Sequence, residues 1–175
     1  MISIEINDNN LNDDDIEMFV TRVKGLIINS RGKILLAHNN NSYQFPGGHV
    51  EDNESLDESV VREIKEETGI KVEVTKEPFL VITTYDNDYF GSSKKVRNRI
   101  YYYKFFTDDV PNLSETHYDE LELATDFNLF YVNLNGLDDF LKKEMNCGNI
   151  DKCIGREMLI VYDNYMKSEE INLWY

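Results

Sequence analysis

Residues 48–70 read GHVEDNESLDESVVREIKEETGI, and the fold turns on what the glutamates near the end of this stretch are for. Glu63, Glu66 and Glu67 sit almost together, and on a helix carboxylates three and four positions apart are surface neighbours that repel. Ser55 followed by Glu58 fits a capping box, and Gly69 is placed to end a helix in the left-handed conformation. Between these caps Leu56, Val60, Val61 and Ile64 make one apolar face. At about 100° per residue Glu67 falls inside that stripe, about 20° from Leu56 and Val60, with Glu63 at its edge and Glu66 further round. A solvated acidic face would lie opposite, where Lys65 and Glu58 fall. Two carboxylates about 6 Å apart repel by roughly 3 kcal/mol at an effective dielectric near 20. Arg62, four residues from both Glu58 and Glu66, relieves part of this. A hard divalent cation would relieve more, since Mg²⁺ typically takes one or two carboxylates together with substrate phosphates. On helix geometry alone, a solvated salt-bridge ladder and a cation cage both stand.

The residues just upstream favour the cage. Pro46-Gly47-Gly48 imposes a turn that other residues avoid and exposes backbone to whatever sits there, so its carbonyls and amides can approach a metal or a phosphate. The whole stretch then resembles the signature box of the Nudix hydrolases: Gly, five residues, Glu, seven residues, Arg-Glu, an aliphatic, any residue, Glu-Glu, any residue, Gly, an aliphatic. Gly48, Glu54, Arg62, Glu63, Ile64, Glu66, Glu67, Gly69 and Ile70 fill every fixed position. Nine fixed positions in 23 residues make a specific signal.

The resemblance implies an α/β (α+β) chain folded as a Nudix-like α/β/α sandwich with a mixed β-sheet. It implies a metal-dependent pyrophosphohydrolase that cleaves a nucleoside diphosphate linked to another moiety by attack of water at phosphorus. Glu66 and Glu67 would be the principal Mg²⁺ (or Mn²⁺) ligands, with the Gly47 carbonyl as a further one. Glu63 would be a ligand or the base that activates water. Arg62 would hold the loop and the glutamates in position, with Glu54 as its partner. Many members add an acid from outside the box, near the segment that resembles LFYVNLNGLDDF. Here Asn128 stands three residues before the aromatic Tyr131, so Glu120, Glu122 and Asp126 become the candidates, Glu122 first. The alternative function is a Nudix-fold module that binds or senses a nucleotide without cleaving it. Degenerate boxes mark that class, and this box is intact.

Composition agrees with a nucleotide substrate bridged by cations. The chain has 175 residues, 41% of them hydrophobic, and a formal charge of −15. That length suits a single domain over 1–175, with 1–15 an N-terminal extension and 137–175 C-terminal helices packed on it. So acidic a chain is ill suited to DNA or a membrane surface, and an anionic substrate needs positive mediation. No run is long enough to span a membrane, and the N-terminus lacks a signal-peptide pattern. Cys147 and Cys153 have no metal-ligand partners and read as reduced thiols, which suits the cytoplasm. The reading leaves a homodimer open.

The rest of the chain alternates strand and helix patterns. IEMFVTRVKGLIIN and RGKILLAH predict a hairpin, turning at Ser30-Arg31-Gly32. Further strands are predicted at KVEVTKEPFLVITTY, RNRIYYYKFF and LFYVNL. A helix is predicted over 137–146, and another where Ile150, Ile154, Met158, Val161 and Tyr165 recur at helical spacing. The N-terminal NDNNLNDDD reads as a solvated loop. For substrate contacts, Gly48 and His49 lie in the box itself. Lys94, Lys95, Arg97 and Arg99 form the dense basic cluster, from which Arg97 and Arg99, on one strand face, are the candidates for phosphate contact. An edge strand protected by charge is the competing reading of that cluster. Tyr89, with Tyr85 and Phe90, is the loop aromatic best suited to stack on a base.

Overall fold

A computed structural model describes residues 1–39, 42–89, 91–118 and 127–172, with side chains through Glu169. The chain runs β1 (Ile2–Ile6), a 3₁₀ turn at Asp13–Asp15, β2 (Met18–Ile28), β3 (Lys33–Asn39), β4 (Ser42–Gln44), α1 (Leu56–Thr68), β5 (Leu80–Asp86), β6 (Val96–Phe106), β7 (Asn128–Asn133), α2 (Leu137–Cys147) and α3 (Lys152–Asn172). The strands form one mixed sheet in the order β1-β5-β6-β2-β3-β4, and β7 pairs with β3. β2 and β6 run parallel along their whole length, as do β1 and β5, while β5–β6, β2–β3, β3–β4 and β3–β7 are antiparallel.

Strand alternation divides the apolar residues into two clusters, one on each face of the sheet. Val23, Ile27, Leu35, Tyr103 and Phe105 pack against Val60 and Ile64 of α1. Leu26, Ile28, Ile34, Leu36, Ile82, Ile100 and Tyr102 pack against Leu137 and Leu141 of α2 and Met158, Val161 and Tyr165 of α3. The result is the three-layer arrangement that the resemblance implied. Gly25 sets how near α1 can come, because a Cβ there would stand 2.6 Å from Ile64 Cδ1.

Helix α1 has the ends its sequence calls for. Ser55 Oγ accepts from the Glu58 amide while the Glu58 carboxylate accepts from the Ser55 amide and hydroxyl. At the other end Gly69 is left-handed at φ 69°, and its amide donates to Lys65 O. The Asn112 carbonyl lies where a Cβ on Gly69 would be, at 2.1 Å, so no other residue fits.

Three expectations need adjustment. The strand predicted over KVEVTKEPFLVITTY begins only at Leu80. Val72 and Val74 do bury apolar surface, beside the α1 cluster, but join no ladder, and Pro78 has no N–H to offer one. The N-terminal residues expected as an extension supply β1, an edge strand, and Leu11 within the supposed solvated loop is buried. The hairpin turns as predicted, with Gly32 at φ 67°, yet β2 and β3 register only near Ile28 and Ile34. Beyond that point they part, and Pro46–Val50 fills the space. Gly25 N donates to Pro46 O, Val23 N to Gly48 O, and Val50 N to Thr21 O. The double-glycine turn is thereby fixed to the central strand.

One buried ion pair ties the C-terminal helix to that strand. Lys24 Nζ lies 3.0 Å from Glu157 Oε1, with side chains 2% and 11% exposed, and the Tyr102 hydroxyl donates to the same oxygen. Burial pulls the Lys24 ammonium down from its ordinary value, and Glu157 opposes that shift. Removing one member of such a pair strands the other charge, whereas removing both can be nearly neutral. Lys24→Met is therefore expected to cost about 3–5 kcal/mol in urea unfolding. Lys24→Met with Glu157→Leu should recover much of that loss; equal destabilisation of single and double variants would contradict the pairing.

Candidate active site

The helix phase read from the sequence puts Glu67 inward, and it is 4% exposed, in the angle between α1 and the glycine turn. Its Oε2 accepts from the Gly47 amide at 2.8 Å. Gly47 has φ 136°, and a Cβ there would stand 2.2 Å from Val23 O. A Cβ on Gly48 would strike the Glu63 carboxylate at 2.4 Å. Gly47 is thus required, for its backbone angle and its closeness to the β2 backbone, whereas a side chain at Gly48 would have to push the Glu63 carboxylate aside.

Arg62 gathers the remaining acids. Its Nε and Nη2 grip Glu54 at 2.8 and 2.9 Å, a bidentate pair, while Nη1 donates to both Glu63 Oε1 and Glu66 Oε2 at 2.9 Å. Nη2 also donates to the His49 carbonyl at 3.0 Å, which links α1 to the turn. Planar guanidinium geometry suits a carboxylate held by two parallel bonds, and a lysine could not reproduce it. The Arg62 hydrogen bonds hold the Glu54 carboxyl down at about 2, against burial, and the Glu54 contact in turn raises Arg62 well above its ordinary value.

One guanidinium does not balance four carboxylates. Glu54, Glu63, Glu66 and Glu67 with Arg62 carry a formal charge of −3 in one corner of the fold. Lys24 is near enough to feel Glu67, but its charge is committed to Glu157. The donor set, all hard oxygen, matches a divalent cation of the Mg²⁺ or Mn²⁺ type. Among the described residues, no three His, Cys, Asp or Glu side chains already stand in ligating geometry. Glu63 and Glu66 instead share Arg62 Nη1, each through one carboxylate oxygen. A shallow groove of about 640 Å³ runs along the outward side of α1 past Arg62 and Glu66 to His117.

The other sequence candidates fall in different places. His49 Nε2 and the Tyr89 hydroxyl are 2.7 Å apart, so these two come together at the mouth of the turn. Arg97 is engaged elsewhere, 3.0 Å from Asp13 and stacked over Phe19 at 4.7 Å, and Arg99 is exposed two residues further along the same face. Glu120, Glu122, Asp126 and Phe90 lie outside the described residues. Arg22, Lys24, Asn98 and Glu157 are not among the residues expected from the sequence. The available signal was two cations at alternate positions in the otherwise apolar run VTRVKGLII, which puts both on one buried strand face.

The NUDIX domain family model matches residues 18–142. The chain belongs to this family. Among curated relatives, it is 50% identical over 46 residues to YtkD of Bacillus subtilis (strain 168), whose name carries a provisional 8-oxo-dGTP diphosphatase assignment; the match covers 26% of this chain and 29% of that protein. It is 40% identical over 58 residues to the RNA pyrophosphohydrolase of Pasteurella multocida (strain Pm70), covering 32% of this chain and 29% of the relative. These matches span less than a third of each relative's length. Among solved structures, a MutT protein from Methanosarcina mazei Go1 aligns with TM-score 0.56 at 22% identity over 85% of this chain and 96% of the other, a likeness of fold.

The Arg62–Glu54 pair makes a pH prediction. Glu54 titrates lower when folded, so its contribution to stability is complete above its ordinary value near 4.5 and is lost as pH falls toward about 2. Thermal melts in chelator should show Glu54→Gln less stable than wild type at pH 7, with the gap closing between about pH 4.5 and 2. A gap that does not change with pH would contradict the pairing.

Proposed function

We propose that this chain is a metal-dependent pyrophosphohydrolase that cleaves a nucleoside diphosphate linked to another moiety. The observation that carries this reading is the net −3 cluster of hard oxygen donors, three of its carboxylates held by Arg62 and the fourth by the amide of Gly47, whose own position against β2 admits no side chain. Such a cluster costs the fold stability unless a cation and an anionic substrate complete it. Glu66 and Glu67, with the Gly47 carbonyl, would hold Mg²⁺ or Mn²⁺; Glu63 is a ligand where it is not the base, and Glu122 a candidate from outside the box. A divalent ion bound there neutralises phosphate charge and lowers the pKa of water.

The chain's own residues do the positioning and the proton transfer. Glu63, pressed against Gly48, takes the proton of the attacking water at a carboxylate oxygen. The water oxygen bonds to phosphorus, and the bridging P–O bond of the anhydride breaks with its electrons on the leaving phosphate. Arg62, itself held by Glu54, keeps Glu63 and Glu66 aimed. Gly48, His49 and Tyr89 border the substrate, and Arg97 and Arg99 would have to leave their present settings to reach it. The names of the relatives support a phosphoric anhydride in a nucleotide or in RNA as the bond attacked, without choosing between them.

The test is release of phosphate or mononucleotide from a panel of nucleoside triphosphates, dinucleoside polyphosphates and nucleoside-diphosphate conjugates, with Mg²⁺ or Mn²⁺. Glu67→Gln and Glu63→Gln are each expected to lower kcat by about 100-fold or more, the usual weight of a metal ligand or general base. Wild type that is stabilised by these ligands yet turns over none of them would instead support the non-catalytic sensor.

A further inference from the structure

Arg22 Nε, Ser42 Oγ and Asn98 Oδ1 are the buried side-chain polar atoms that have no hydrogen-bond partner among the described residues. Two of them lie together. In the parallel β2–β6 ladder Arg22 stands opposite Ile100 and Val20 opposite Asn98. Alternation puts Arg22 on the face of Leu26 and Ile28, and Asn98 on that same face with Ile100 and Tyr102. A strand spacing and a two-residue offset separate their Cα atoms by roughly 8 Å. Asn98 is 8% exposed. A buried donor and a buried acceptor, each left unmade, are costly, and such groups persist where something else completes them.

Their place in the fold says where that partner comes from. Arg22 forms a backbone bridge to His49, immediately after the glycines that touch Glu63 and Glu67. Its charge reaches Lys24, Tyr102 and Tyr89, and the Tyr89 hydroxyl is bonded to His49. Lys24 and Tyr102 are already committed to Glu157. The unmade pair therefore lies on the face of the sheet opposite α1, beside the strand segment that carries the glycine turn.

We propose that Arg22 and Asn98 read the nucleobase of a substrate whose phosphates lie on the glutamate cluster. This deepens, and rests on, the reading of the site as nucleotide-cleaving. The chemistry selects the ligand class. Arg22 can only donate, and Asn98 Oδ1 can only accept. A phosphate offers acceptors alone at neutral pH and leaves Asn98 Oδ1 unmade. A base edge with a carbonyl or ring nitrogen beside an N–H serves both in one plane. Tyr89, in the loop between β5 and β6, supplies a ring at the same mouth. Arg97 and Arg99 sit on the opposite face of β6, which separates base reading from that basic cluster.

The experiment is calorimetric binding of GMP, AMP, CMP, UMP and ribose 5-phosphate to the full chain in Mg²⁺, for wild type, Asn98→Leu and Arg22→Met, alongside the hydrolysis panel. Wild type is expected to prefer at least one nucleotide over ribose 5-phosphate by about tenfold or more. Each variant should lose about tenfold for that nucleotide, with a much smaller loss for ribose 5-phosphate. Asn98→Leu, which removes a buried carbonyl oxygen left without a partner, should melt no lower than wild type. Equal losses for nucleotide and ribose 5-phosphate would overturn the proposal in favour of phosphate contact or a general structural role, as would variants that bind like wild type. Base-dependent binding without any turnover keeps the base site and discards the hydrolase; turnover without base-dependent binding does the reverse.

Discussion

The structure is organised by the grip of one guanidinium on three carboxylates. Arg62 holds Glu54, Glu63 and Glu66 and reaches the His49 carbonyl, so one side chain joins the helix, the residues before it and the glycine turn. Without it, several acids at helical spacing would repel by a few kcal/mol per pair and would have no reason to face inward. With it, they face one another and stay short of neutrality. That remaining negative charge is what makes the corner chemically useful. A fully satisfied salt-bridge ladder would have no further call for a cation.

The backbone around this grip is shaped to the same end. β2 and β3 separate after Ile28 and Ile34, and the gap admits Pro46–Val50 as a partner of the central strand. The turn then lies so close to the β2 backbone that Gly47 is obligatory, and a side chain at Gly48 would displace the Glu63 carboxylate. Gly25 lets α1 approach the sheet closely enough for Glu67 to reach the Gly47 amide. On the other face, Lys24 and Glu157 fasten α3 across the same strand. β2 thus carries the turn along one edge and the C-terminal helix on one face.

What could be read from the sequence was local. The caps of α1, the inward phase of Glu67 and the glycine turn all follow from residues within a few turns of each other, and each is found in place. Contacts distant in sequence were not legible. Lys24 and Glu157 are 133 positions apart, and nothing near either one announces the other. β1 is a short alternating stretch whose parallel pairing to β5 depends on a partner more than seventy residues away. Arg97 looked available because Asp13 and Phe19, which hold it, lie far upstream. KVEVT has the alternation of a strand, yet its valines are used to cover α1 instead.

Whether the glutamates beside the glycine turn form a divalent-cation site is tested, without any choice of substrate, by Mn²⁺ binding followed by electron paramagnetic resonance. The account predicts saturable loss of the free-ion signal in wild type, and loss of that binding when Glu66 and Glu67 are both changed to Gln. Wild type that leaves the Mn²⁺ signal no weaker than the double variant does would contradict it.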